Sequence, residues 1–327
     1  MGPNGVGKTN LLEAVHVATQ CFSPRTRTDS QVVRFGAEGA RAAVTGSRGE
    51  VRIELEVTVR RGEGKRARLN GAPLRAAEQL RTMVSTLVFT PDRLGVVKGP
   101  PAARRAYFDR VLGRLAPARA ALPAEYGAAV AQRNAALRRA GVGVSGRDAI
   151  EPWSERVATL GAELVAARLD VIALLEASFG ARADELRLDR VSLRYEGEPP
   201  TPEGLAVALE RDLERGTTSL GPHLDDIVLA GGGRDLRSFG SQGEQRLALL
   251  ALLLAEAETI AERTGVPPLL LLDDVLSELD PGRRRILAAR VRTAGQALVT
   301  ATDAAMLPTA PDQLLEVTPG AVLEAAA

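Results

Sequence analysis

The eight residues Gly2-Pro3-Asn4-Gly5-Val6-Gly7-Lys8-Thr9 fit the pattern G-x-x-x-x-G-K-[ST] without a mismatch. In that pattern glycines let backbone N–H groups close around phosphate oxygens, the lysine reaches the β- and γ-phosphates, and the hydroxyl residue ligates Mg²⁺. Gly2, Gly5, Gly7, Lys8 and Thr9 fill these positions, and Pro3, Asn4, Val6 and Asn10 complete the expected cradle for ATP. Such a loop joins a strand to a helix. The helix is legible from Asn10 to Gln20, where Leu11, Leu12, Val15 and Ala18 share one face. Only Met1 stands before the loop, too little for a strand.

A phosphate loop alone does not define a site, and its complement lies far downstream. Leu269-Leu270-Leu271-Leu272 runs into Asp273-Asp274 after Pro267-Pro268. Without polar alternation this reads as a fully buried parallel strand. A carboxylate at the C-terminal end of such a strand sits at the mouth of an α/β sheet, where ligands bind. Asp273 is expected to hold Mg²⁺ through water, and Asp274 to orient or deprotonate the attacking water, with Lys8 as the other catalytic group. Taken alone, the run reads equally as a buried strand ending in a solvated Asp pair. A second anion site is expected at Ser241-Gln242-Gly243-Glu244-Gln245, before the apolar stretch Leu247 to Ala255. Ser241 with Glu244 three residues on makes a capping box, and a helix N-terminus with a hydroxyl and a glycine suits a γ-phosphate. Ser277-Glu278-Leu279-Asp280 then opens a turn at Pro281-Gly282.

This order of phosphate loop, S-x-G-x-Q helix, acidic strand end and S-x-L-D turn resembles the ABC-type ATPase heads. That resemblance implies that Ser241, Gln242, Gly243, Gln245 and Asp280 act on the ATP of a second copy. The stretches GPNGVGKTNLLEAVH, SPRTRTDSQVVRFGAEGA, LVFTPDRLGVVKGPPAARRAYFD, LGPHLDDIVL, FGSQGEQRLALLALLLAEAE and LLLLDDVLSELDPGRRRIL are similar to the RecF family of bacterial recombination mediators. They run in family order from residue 2 to about 303. The second, third and fifth are not general ABC features. The resemblance implies an ATP-dependent homodimer that binds single-stranded and gapped DNA without sequence preference. It implies roles in gap repair, replication restart and SOS induction, with RecR and indirectly RecO and RecA as partners. Two departures bear on turnover. Thr300, Thr302 and Asp303 stand where many ABC ATPases place a switch histidine, and no Gln follows the 85–90 strand. The expectation is a weak, DNA-stimulated ATPase. The rival readings are a transporter motor subunit and a DNA clamp that hardly turns ATP over. The family carries a strand–turn–strand segment before the loop. The expectation is therefore that the natural protein extends upstream of Met1 and that this shorter version binds ATP poorly.

Composition fits this picture. The 327 residues are 45% apolar, enough for a sizeable core and two domains. The single cysteine, Cys21, forms no internal disulfide, and no apolar run approaches the ~20 residues of a membrane span, so a cytoplasmic setting is expected. Net charge is +1, so any DNA contact must be local. From Pro101 to Ala140 eight arginines stand against only Asp109 and Glu125. Arg104 and Arg105 are the expected phosphate contacts there; the alternative is a solvated helix face. His223-Leu224-Asp225-Asp226 is tempting as a metal cluster, but only two histidines in the chain argue against it, and the family resemblance implies a structural or nucleotide-coupled loop.

Periodicity sets the expected organisation. Val51 to Val59 alternates as a half-exposed antiparallel strand, Asn70-Gly71 is a hairpin turn, and Ser85 to Thr90 is another strand. Ala102 to about Arg182 turns helical, with breaks at Pro117, Pro123 and Pro152. The expected fold is α/β, an ABC-type P-loop ATPase head over residues 1–102 and 216–327, split by an inserted helical arm at 103–215.

Overall fold

The computed structural model describes residues 1–26, 28–75, 80–81 and 83–324. They fall into two units, one made of 1–94 with 253–327 and the other of 95–252.

In the first unit the apolar run ending at Asp273 forms the central strand Leu269–Leu272 of a parallel sheet, flanked by Ala297–Val299 and Thr86–Phe89. Leu270, Leu271 and Leu272 are fully buried, the state their unbroken hydrophobicity demands. Helix Lys8–Gln20 lies on this sheet, with Leu12 packed against Val88 and Leu271. The helix also packs through Val17 and Cys21 against a four-stranded antiparallel sheet of Gly39–Arg48, Val51–Arg60, Gly64–Leu69 and Ala72–Pro73. Alternation in the second of these strands buries Ile53, Leu55, Val57 and Val59. Asn70 and Gly71 both take positive φ, 49° and 79°, as a two-residue hairpin turn requires. A hairpin of Leu315–Thr318 and Ala321–Glu324 completes the unit. Met1 pairs with its first strand, donating to the Leu315 carbonyl at 2.5 Å and accepting from the Val317 amide at 2.8 Å.

The second unit is built on helices Pro101–Leu115, Leu122–Gly141 and Glu151–Glu185. The prolines that interrupt the helical pattern mark where helices begin: Pro101, Pro123, Pro152 and Pro202 all occupy first-turn positions, where a missing N–H costs nothing. The unit is wider than the 103–215 arm. Strand Ser192–Glu196 pairs with Asp226–Gly231, which turns through Gly232 and Gly233 into Arg234–Asp235. Tyr107 and Phe108, 2% and 0% exposed, lie in its core. Helix Gln242–Thr264 starts in this unit and belongs to the first unit from Leu253 onward.

Candidate nucleotide site

Gly2, Gly5 and Gly7 stand at φ 144°, 82° and 112°, conformations closed to most side chains. Gly2 is the tightest: a Cβ there would lie 2.6 Å from the Val317 carbonyl oxygen. Gly7 is the N-cap of helix Lys8–Gln20 and supplies no side-chain cap, so the first-turn amides are free to meet an anion. Pro3, Asn4 and Gly5 are exposed, Val6 half-buried. Lys8 is only 8% exposed, and its ammonium donates to the loop's own carbonyls, Gly2 at 2.5 Å and Pro3 at 2.9 Å. Among the described residues no carboxylate pairs with it. Asn10, exposed, accepts a long hydrogen bond from Arg25, which also pairs with Glu13.

The sheet delivers the acidic end to this loop. The Thr9 hydroxyl donates to Asp273 Oδ2 at 2.8 Å, across 264 positions of sequence. The Thr300 hydroxyl donates to the other oxygen, Oδ1, at 2.8 Å. Asp273 is 5% exposed and fixed on both sides. Asp274 follows with φ 51° and ψ 26°, and its amide donates to Thr300 Oγ1 at 2.9 Å. Mg²⁺ prefers hard oxygen ligands and retains several waters. The adjoining Thr9 hydroxyl and Asp273 carboxylate fit that ion. So does Thr90, buried at the exit of the neighbouring strand, whose hydroxyl has no partner among the described residues.

The second segment is in the other unit. Ser241 and Glu244 form the expected capping box: the Ser241 amide donates to Glu244 at 2.7 Å and the Glu244 amide to Ser241 Oγ at 3.2 Å. These bonds hold the Glu244 carboxyl below the usual carboxylate range. Ser241, Gln242 and Gly243 are exposed. Gln245 is not. It is 7% exposed and its amide donates to the Leu236 carbonyl at 2.8 Å, so it braces the preceding turn and does not face a ligand. Asp280, in the first unit, caps helix Pro281–Thr293, accepting from the Arg283 amide at 3.0 Å.

Neither expected DNA contact lies open on the surface. Arg104 is 2% exposed, and its guanidinium forks onto Asp226 at 2.7 and 2.6 Å while also donating to the Val97 and Gly99 carbonyls. Burial pushes the Asp226 carboxyl up, but the Arg104 fork outweighs it and holds the group below its ordinary range. Arg105 is half-buried and donates to the Asp225 carbonyl at 2.5 Å. Arg133, in the same basic stretch, is fully buried against Asp212. Local charge counting missed these pairings because the acidic partners lie 79 to 122 positions away. His223 Nε2 donates to the Thr218 carbonyl at 3.1 Å, and Nδ1 shares a 2.7 Å hydrogen bond with the Tyr126 hydroxyl. No group of metal-ligating side chains is found there among the described residues.

The chain matches the family described as RecF/RecN/SMC N terminal domain over residues 1–322. It is 38% identical to the DNA replication and repair protein RecF of Kineococcus radiotolerans, over 92% of this chain and 85% of that protein. Against the protein of the same name from Synechococcus sp. the identity is 37%, over 98% of this chain and 90% of the relative. A solved structure of the recombination mediator protein RecF with ATP, in the RecFOR pathway, superposes with a TM-score of 0.89 at 26% identity, covering 99% of this chain and 90% of the other.

Proposed function

Since this chain belongs to the RecF family of DNA replication and repair proteins, we propose that it is an ATP-gated dimer that clamps gapped DNA and helps load a recombinase. The observation that carries the nucleotide part is the buried Lys8 ammonium, with which no carboxylate pairs among the described residues. A buried cation without a counter-ion is costly unless an anion completes it. ATP phosphates supply that anion, and the uncapped amides after Gly7 supply the donors.

Mg²⁺, held by Thr9 and through water by Asp273, would neutralise charge on the β- and γ-phosphates. Lys8 would exchange its two loop carbonyls for phosphate oxygens. Asp274 would orient the attacking water. Ser241, Gln242 and Gly243, exposed at a helix N-terminus, would cap the γ-phosphate bound by a second copy; Asp280 is assigned to that ATP on the family resemblance alone. The family's partners, RecR and indirectly RecO and RecA, and its roles in replication restart and SOS induction are proposed on the same footing, as is a cytoplasmic location. Among the described residues no helix is long and apolar enough to cross a membrane. A clamp with little turnover is favoured over a fast ATPase by Thr300, whose hydroxyl at the strand exit is engaged by both Asp273 and Asp274.

The test is ATP-dependent dimerisation of wild type and Ser241→Arg, measured by sedimentation with gapped, duplex and single-stranded DNA in parallel. The variant should bind ATP as a monomer with unchanged affinity and fail to dimerise. Loss of ATP binding by the monomeric variant would place the serine helix in its own subunit's site and end the two-copy reading.

A further inference from the structure

The three parallel strands end in a row. Phe89, Leu272 and Val299 are register partners, and the ladder continues one residue further: the Asp273 amide donates to the Phe89 carbonyl and the Thr300 amide to the Leu272 carbonyl, each at 2.9 Å. Thr90, Asp273 and Thr300 therefore stand side by side, and in-register residues of a parallel sheet share a face. The two flanking hydroxyls differ. That of Thr90 has no partner among the described residues, whereas that of Thr300 is used twice, donating to Asp273 Oδ1 and accepting from the Asp274 amide. Burial at this row thus does not by itself impose hydrogen bonds.

What Thr300 holds needs holding. Asp274 occupies the left-handed region, which an L-residue enters at a cost and keeps only when its surroundings dictate it. The Asp273 carboxylate would be free to turn about its own χ angles were it not gripped by Thr9 on one oxygen and Thr300 on the other. We propose that Thr300 is the positioning residue of the nucleotide site, one hydroxyl that sets both the direction of the cation-binding Asp273 carboxylate and the backbone turn that presents Asp274. This rests on the reading of the Thr9–Asp273 pair as a Mg²⁺ site. Partners of this kind, one bond removed from the ion, change metal affinity or activity by about ten- to a hundredfold when removed.

The experiment compares the wild-type chain with Thr300→Val and Thr300→Ser. Binding of a fluorescent ATP analogue is measured with EDTA and across a Mg²⁺ titration, alongside ATP turnover and thermal melting. Thr300→Val keeps the shape and loses the hydroxyl. Its Mg²⁺ half-saturation point should rise about tenfold and its kcat fall about tenfold or more, with nucleotide binding in EDTA unchanged and the protein still melting cooperatively, at a somewhat lower temperature because two buried hydrogen bonds are lost. Thr300→Ser should restore the Mg²⁺ response to within about twofold. A Thr300→Val protein with the wild-type Mg²⁺ midpoint overturns the proposal, as does one that loses nucleotide binding equally with and without Mg²⁺. Should wild type itself bind the nucleotide with no Mg²⁺ dependence, the cation-site reading falls and the role of Thr300 with it. The EDTA arm separates that outcome from a failure of Thr300 alone.

Discussion

Lys8 and Arg133 are both buried cations, and the chain treats them in opposite ways. Arg133, in the second unit, is fully buried with Asp212, also fully buried, at 2.7 Å, and further bonds to Ser154 and Thr218 satisfy its fork. Lys8, in the first unit, is 8% exposed and is met by two backbone carbonyls of its own loop. The second unit repeats its pattern at Arg104 with Asp226 and at Arg168 with Asp109. The first unit repeats its own at Thr90, a buried hydroxyl with nothing to bond among the described residues. The arginines are closed by carboxylates that hold the second unit together, whereas Lys8 has only loop carbonyls, partners that a phosphate can replace.

The largest effect should come from opening what is closed. Asp212→Asn would leave the Arg133 charge buried without its counter-ion, at a cost of about 3–5 kcal/mol. Chemical denaturation should register that loss, while ATP affinity at low temperature stays at the wild-type value. A variant of wild-type stability would mean that the Arg133 network is not closed in solution. Next in size is Lys8→Ala, which removes a charge-assisted phosphate contact of about 1.5–3 kcal/mol, tenfold or more in ATP affinity. Because no carboxylate loses a partner, apo stability should not fall. A drop in the apo melting temperature would show that Lys8 is a structural cation like Arg133 and erase the contrast. The smallest effect belongs to Arg105→Ala. With its guanidinium turned onto the Asp225 carbonyl, its removal should leave the slope of log K against log[salt] for DNA unchanged, whereas a true phosphate contact would flatten it by about 0.7–0.9.

Local pattern carried the parts of this molecule that local physics determines. The capping box at Ser241, the Asn70-Gly71 turn, the alternation of Val51–Arg60 and the buried run before Asp273 each depend on residues a few positions apart. The motif positions Thr9 and Asp273 were also legible, because a phosphate loop and an acidic strand end each have their own signature, and the sheet brings them to 2.8 Å. The fates of Arg104, Arg105 and Gln245 were not. A cluster of arginines looks the same in sequence whether its forks face water or carboxylates 79 to 122 positions on. Thr300 was visible only as a residue standing in place of a histidine. Its part emerges from the register of two strands that no local window contains.

The pairing of Met1 with Leu315 and Val317 has a consequence for how the site is made. Leu315 lies 314 positions from Met1 in sequence, and Gly2 has room only because it is glycine lying against the Val317 carbonyl. Contacts between distant positions close large loops, and their entropy is lost before they stabilise anything. Positions 1 and 315 must therefore meet before this edge of the site is made. Until Leu315–Thr318 arrives the loop lacks its neighbouring strand, and until Leu269–Leu272 arrives Thr9 lacks its carboxylate. The ATP site is thus finished only when contacts spanning 264 and 314 positions have closed, so that nucleotide binding reports the long-range closure of the first unit.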